Sequence, residues 1–232
     1  MNRFEKMFVP GGLKVPRMIC KKGLLSAPRR FEPPKELILT GYCTPIENQG
    51  SKPWCAAYSA AAFAENVLWR RDGYYKEVDP APVYAHAKTI DGDPDGDGTY
   101  LECALEGLKA GKVFGADCKV KQIGGTIFGF GDPLREVKHA IHKYGCALAG
   151  FDITGDWFNV GSKGVIDKCA GASQGGHAVL ICGFDPGGVI IQNSWGPQWG
   201  HDGFAYVTNA VFNKKFMYAS VLTGVFNEKK GN

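Results

Sequence analysis

The 232-residue sequence is most readily bounded by what it lacks. No apolar run approaches ~18 residues, so nothing in it reads as a membrane-spanning helix. Eight cysteines over this length are too few for a fold held together mainly by disulfides. No two of them stand as C-x-x-C, which argues against a structural zinc site. No apolar core of about 7–15 residues follows Met1-Asn2-Arg3, and Glu5 stands where one should begin. The sequence as written is therefore expected in the cytoplasm, with export by another route left open. Internal repeats and low-complexity stretches are also missing, which removes repeat architectures. The remaining composition, 44% hydrophobic and 22% charged with 32 Gly and 13 Pro, is that of a loop-rich chain long enough to bury a real core.

The net charge of +4 is unevenly placed. Residues 1–36 hold nine Lys/Arg against three Asp/Glu, so the rest of the chain carries −2. This first segment has five prolines and a Gly-Gly, and it reads as an extended arm lying on, or hanging from, a folded body. A basic arm can bind nucleic acid or anionic lipid. Here there is no block of consecutive charges, and Phe4, Phe8, Val9, Leu13 and Val15 suit packing on protein. No nucleic-acid or membrane partner is assigned, and the oligomeric state is left open.

Residues 37–50 read as extended. Residues 55–70 give the clearest helix: six of the nine residues 56–64 are Ala, and Gly73 follows its end. Nearly every position to Leu68 is apolar or small, so this helix should be buried on most sides. Further helices are expected over 82–90, 100–110 and 133–144, the second with Thr99 as N-cap and Glu102 completing a capping box. After them the pattern changes to strands, at CALAGFDI, HAVLICGF, GVIIQNSW, GFAYVTN and ASVLTGVF. Helices first and strands last predict an α+β chain with a helical lobe over about 44–115 and a β lobe over about 116–225.

Three segments could do chemistry: NQGSKPWCAAYS (48–59), GGHAV (175–179) and QNSWGPQWGHDGF (192–204). Cys55 opens the Ala-rich helix, where unsatisfied N–H groups and the helix dipole favour a thiolate. His177 opens a strand after a Gly pair, and beside such a thiol it could pair with it and later protonate a leaving amine. Asn193, at the end of the next apolar strand, could hold the far imidazole N–H. The side-chain amide of Gln49, with the Cys55 N–H, could form an oxyanion hole. Each alone has a plain reading: a buried small hydrophobe, a satisfied strand-end His and turn residues. It is their joint order that carries the signal.

That order, Gln49, Cys55, His177, Asn193, together with the Asn-Ser-Trp-Gly, Trp-Gly and Gly-Phe run, resembles the papain-like cysteine peptidases over roughly residues 33–225. The resemblance implies a two-lobed fold with the substrate between an α-helical lobe carrying Cys55 and an antiparallel, barrel-like β lobe carrying His177 and Asn193. It also implies that Trp195 covers the His177–Asn193 bond, that Gly98 bonds the substrate backbone, and that Gly176 offers its carbonyl to the residue before the scissile bond. The activity implied is endopeptidase cleavage of a peptide or protein substrate without a cofactor, and residues 1–32 would be either a short pro-segment lying in the cleft or a flexible tether to a partner or assembly. The chain departs from the family at Lys52-Pro53-Trp54, where the family has Cys-Gly-Ser, and at Ala56, where Trp is common. The bridge that begins at the position of Lys52 cannot form, and Trp54 should alter the cleft wall. Another cysteine hydrolase or transferase on this fold, such as a deamidase or cell-wall peptide hydrolase, and a non-catalytic scaffold are the rival readings.

One stretch remains. Asp91, Asp93, Asp95, Asp97 and Glu102 fit the calcium pattern D-x-D-x-D-G-x₅-E. Against it, Gly98 stands where an aliphatic residue is usual and Glu102 is accounted for by the capping box, so no metal is assigned.

Overall fold

A computed structural model describes residues 12–15, 25–114, 118–124 and 132–225. Phe4, Phe8, Val9, Pro10, Gly11 and Cys20 lie outside the described residues.

The Ala-rich segment forms α1, Cys55–Asp72, closed by Gly73 in the left-handed region that a side chain disfavours. Fourteen of its residues are buried, among them every Ala, so α1 is a central helix packed on several sides. Helices α2, Pro80–Ile90, and α3, Leu101–Ala110, lean on it. Asp79 caps α2 by accepting the Ala81 N–H, so the helix starts two residues before the expected Pro82. The capping box expected at Thr99 and Glu102 does not form: Tyr100 is the N-cap of α3 and makes no side-chain cap bond. The physical reason lies in the Thr99 backbone, which is bonded to the N-terminal arm instead.

The sheet follows. Its strands are β1 (Leu37–Ile38), β2 (Lys119–Gly124), β3 (Ala147–Thr154), β4 (Val165–Ile166), β5 (Ser173–Phe184), β6 (Gly188–Gln192), β7 (Phe204–Thr208) and β8 (Phe216–Thr223). Their order is β2-β8-β3-β5-β6-β7-β4, with β1 on β5, and the pairs are antiparallel apart from β4 with β7. Strands β1, β2 and β4 and the short helix α5, Asn209–Lys215, carried no clear pattern in the sequence.

Successive strand residues point to opposite faces, and the core divides accordingly. Ala178, Leu180 and Cys182 of β5 pack with α1 and α3, while Val179 and Ile181 join the cluster on the other face with Val137 and Ile141 of α4, Pro133–Tyr144. The sheet is the shared wall between two cores, and β5 is the strand that touches α1. Ser59 fixes that contact by donating to the Ala178 carbonyl at 2.9 Å. Cys55 thereby begins a helix that is bonded to β5, and His177 lies within β5 rather than opening it, next to the bonded Ala178.

The later part of the arm lies on the β lobe. Leu25 N–H donates to Gln122 O, and the Arg135 guanidinium donates to the carbonyls of Pro28 and Phe31. The Phe31 ring meets His139 edge-on. Among the described residues, no helix is long and apolar enough to cross a membrane.

Candidate active site

Cys55 begins α1, and the Trp54 carbonyl accepts from Ala57 and Tyr58 to start the helix. The thiol is 1% exposed and reaches the backbone of Ala178, the residue after His177. His177 is also buried, and its Nε2 donates to Asn193 Oδ1 at 2.7 Å. The Ser194 N–H donates to the same oxygen at 2.8 Å. Two donors on one atom identify it as the oxygen, which fixes the amide orientation and puts the imidazole proton on Nε2. The other ring nitrogen is then a base facing away from Asn193.

Four aromatic rings wall this bond off from water. Trp195 lies 4.5 Å from the His177 ring, centre to centre, stacks on Phe158 at 5.3 Å and is met edge-on by Trp199. Trp157 approaches the imidazole from another side at 6.5 Å. The sequence placed Trp195 here; it gave no hint of Trp157 and Phe158, which arrive from a 3-10 turn at 155–159.

Gln49 is held at both ends of its amide. Its Nε2 donates to Lys52 O at 2.9 Å, and its Oε1 accepts from the Ser194 hydroxyl at 2.7 Å. A primary amide has two N–H groups, so one stays available. Ser194 therefore orients two of the proposed groups, Asn193 through its N–H and Gln49 through its hydroxyl. It stood inside the quoted motif without a role.

The remaining expected residues are placed as follows. Gly176 O accepts the Leu13 N–H at 3.2 Å. The Gly98 carbonyl accepts from Lys88 Nζ at 3.1 Å. The backbone edge that meets the arm is Thr99, one residue on, which donates to Gly12 O at 3.2 Å and accepts from Lys14 N–H at 3.0 Å. Gly98 makes room, for a Cβ there would lie 2.3 Å from Gly12 O. Trp54 stacks on Tyr84 at 4.8 Å, with the Lys52 ammonium 4.5 Å from its ring centre, so it is clamped against α2. Of the calcium pattern, Asp91 and Asp93 are paired with ammonium groups of Lys14 and Lys88, and Glu102 is half-buried. Among the described residues, no group of three or more His, Cys, Asp or Glu side chains is placed to hold a metal ion.

The arm occupies the cleft. Leu13 is 3% exposed and belongs to the same core as Cys55, Ala178, Leu101 and Tyr218. A Cβ on Gly150 would strike its Cδ2, and one on Gly176 would lie 2.7 Å from its carbonyl oxygen. Tyr218 donates its hydroxyl to Lys14 O at 3.1 Å and accepts the Leu101 N–H at 3.1 Å. An open cavity of about 570 Å³ lies away from the cleft, at the C-terminal end of α1 beside Tyr74 and Val83.

Burial of the pair reverses the expected ionisation. Burial pushes the Cys55 thiol up to about 11, against the lowering by the backbone N–H groups around it. Burial likewise pushes the His177 imidazole down to about 4, against its bond to Asn193. With the arm in place, the pair is a neutral thiol and a neutral imidazole.

Residues 116–224 match the family described as papain family cysteine protease. This match takes in just under half of the chain. It is 27% identical to cathepsin K of Gallus gallus over 186 residues, 71% of this chain and 55% of that protein. Procathepsin L of Felis catus is 25% identical over 231 residues, 88% of this chain and 69% of that one. The chain thus spans little more than half of the cathepsin K it matches. Xylellain, a cysteine protease from Xylella fastidiosa, superposes with a TM-score of 0.71 at 18% identity, covering 94% of this chain and 97% of that one. The ragweed pollen cysteine protease Amb a 11 in its proform gives 0.75 at 16% identity, covering 99% and 72%. At such identities the structural likenesses speak for the papain-like α+β fold alone.

Proposed function

We propose that this chain is a cysteine endopeptidase acting on peptide or protein substrates and held inactive by its own N-terminal arm. The observation that carries the reading is the His177–Asn193 bond under Trp195, on the strand that is bonded to the Cys55 helix.

Once the arm leaves, water reaches the pair and the penalty on charge falls. The helix N-terminus then favours the Cys55 thiolate, and His177 takes the proton. The thiolate attacks the scissile carbonyl, and the oxyanion is met by the free N–H of Gln49 and the Cys55 backbone N–H. His177 protonates the departing amine, and the acyl group stays on sulfur as a thioester. Water attacks the thioester with His177 as base, which frees the acid and the thiol. Asn193 keeps the imidazole turned toward sulfur throughout.

The arm supports the inhibited part of the reading. By resemblance, the Gly176 carbonyl and the neighbouring edge serve the acyl half of a substrate, which must approach Cys55 with its C-terminal end. The described part of the arm begins at Gly12, which abuts Pro53 beside Cys55, and Leu13 pairs parallel with Thr99. These described residues lie in the subsites in the opposite sense.

The test uses the full chain. Leu13→Asp puts a carboxylate where an aliphatic pocket was and should expel the arm. Peptidase turnover and iodoacetamide labelling of Cys55 should both rise by at least tenfold over the unmodified chain, and adding Cys55→Ala should abolish turnover while leaving the circular dichroism spectrum unchanged. Turnover retained by the purified Cys55→Ala chain sinks the nucleophile assignment; equal labelling with and without Leu13→Asp sinks the inhibitory arm.

A further inference from the structure

The arm does more than fill the cleft; it shows what one part of the cleft takes. Lys14 follows the Leu13 pocket on the side away from Cys55. Its Nζ lies 2.8 Å from Asp93 Oδ2 and 3.1 Å from Asp91 Oδ2, and 6.0 Å from the centre of the Tyr100 ring. Asp91 is fully covered, yet it holds two ammonium groups, Lys14 and Lys88, the latter at 2.7 Å. Lys88 is a permanent partner on the neighbouring helix and is anchored a second time on Gly98 O. Lys14 belongs to the mobile half of the pairing, since it leaves whenever the arm leaves. Asp93 stands at the mouth with its side chain 57% exposed, and Asp95 and Asp97 continue the loop. Removing Lys14 therefore opens a cleft-facing place with two carboxylates and an aromatic face, served by one remaining cation.

That place adjoins the backbone edge at Thr99, to which Lys14 is itself bonded. A substrate strand on the same edge must pass its side chain over the same loop. We propose that Asp91, Asp93 and Tyr100 form a specificity subsite that selects a lysine or arginine at the third residue before the scissile bond, next to an aliphatic residue in the Leu13 pocket. The chemistry is charge-assisted hydrogen bonding to carboxylates with a cation–π contact, and it rejects an acidic side chain by like-charge repulsion. Lys14 is the resident stand-in for that substrate side chain, and the −2 of the rest of the chain adds a favourable field for a basic substrate.

This inference rests on the endopeptidase reading, and the experiment separates the two. Three fluorogenic peptides that differ only at the third position, Lys, norleucine or Glu, are compared on the full chain carrying Leu13→Asp. The Lys peptide should exceed norleucine in kcat/KM by about fivefold and Glu by about thirtyfold at low salt, with the gap narrowing as salt screens it. Asp93→Lys in that chain should invert the order of Lys and Glu. Equal kcat/KM for the three, or an order unmoved by Asp93→Lys, overturns the subsite while leaving the peptidase reading intact. The same peptides are titrated calorimetrically into the full chain carrying Leu13→Asp and Cys55→Ala. Tighter binding of the Lys peptide supports the subsite even if none is cleaved, an outcome that sinks only the peptidase reading. Should Leu13→Asp misfold, Lys14→Glu in the otherwise unmodified chain decides: Cys55 labelling should quicken at least fivefold, and an unchanged rate overturns the acid pair as a cation site.

Discussion

A single hydroxyl, that of Ser194, ties the proposed machinery together. It fixes the Gln49 amide, while the Ser194 N–H shares the Asn193 oxygen with His177. Gln49→Ala should lower kcat by about 10²–10³-fold, the usual loss for one oxyanion donor. Ser194→Ala removes only the orienting bond, worth about 1 kcal/mol, so kcat should fall about fivefold with KM nearly unchanged. In a Gln49→Ala background the Ser194→Ala change should have almost no further effect. Steady-state kinetics on the chain with an expelled arm measure all three, and an equal loss in both backgrounds would separate Ser194 from Gln49. The four proposed catalytic residues were legible because their side chains are the chemistry. Thr99 was not, since it acts through its backbone and its side chain carries no sign of it. The expected lowering of the Cys55 thiol also missed, because a helix N-terminus can be read from sequence whereas the burial of the thiol in the assembled core cannot.

At the scale of elements, the legible parts were those whose pattern is local. Helix α1 was visible through its alanines, and β3, β5, β6 and β7 through apolar runs. Strand β1 has two residues and β2 reads KVKQIG, so neither carries a period long enough to detect; both exist because β5 and β8 offer them an edge. The start of α3 was misplaced because a tertiary contact claimed the Thr99 backbone. The arm's seating is itself an element-scale fit. Gly12 lies so close to Pro53 that an added Cβ would sit 2.9 Å from its carbonyl oxygen, and backbone cannot swing aside. Gly12→Ala should therefore loosen the arm without touching the folded body. The expected result is a several-fold faster alkylation of Cys55 with no change in the midpoint of urea unfolding beyond about 0.5 kcal/mol. Alkylation at the original rate would mean that the close approach does not limit seating.

For the whole molecule, the seated arm and the acid loop are coupled through protons. Lys14 holds the Asp93 carboxyl below its ordinary range, and Lys88 and Lys14 hold Asp91 low despite its burial. Without Lys14 these carboxylates bind protons more readily, so the open form takes up more protons than the closed form at acid pH. Closure is fully favoured above the ordinary carboxylate range and is lost as pH falls through the lowered values. Hydrogen exchange at the Leu13 and Lys14 amides, bonded to Gly176 O and Thr99 O, should show protection at pH 7 that declines below about pH 4 after correction for intrinsic rates. Protection that is flat across this range would break the coupling.

The bond from the Tyr218 hydroxyl to the Lys14 carbonyl joins residues 204 positions apart. A loop closure of that span costs the most entropy and gains nothing until both ends are ordered. Tyr218 is made 204 residues after Lys14 and long after α1, so α1 and its thiol can form before the arm has this partner. Pulse-labelling during refolding should find the Leu13 amide protected after those of α1 and together with those of β8. The seated arm then acts as a completion signal: a chain cut short before β8 lacks both its oriented tyrosine and its lock, and only a finished fold can be a silenced one.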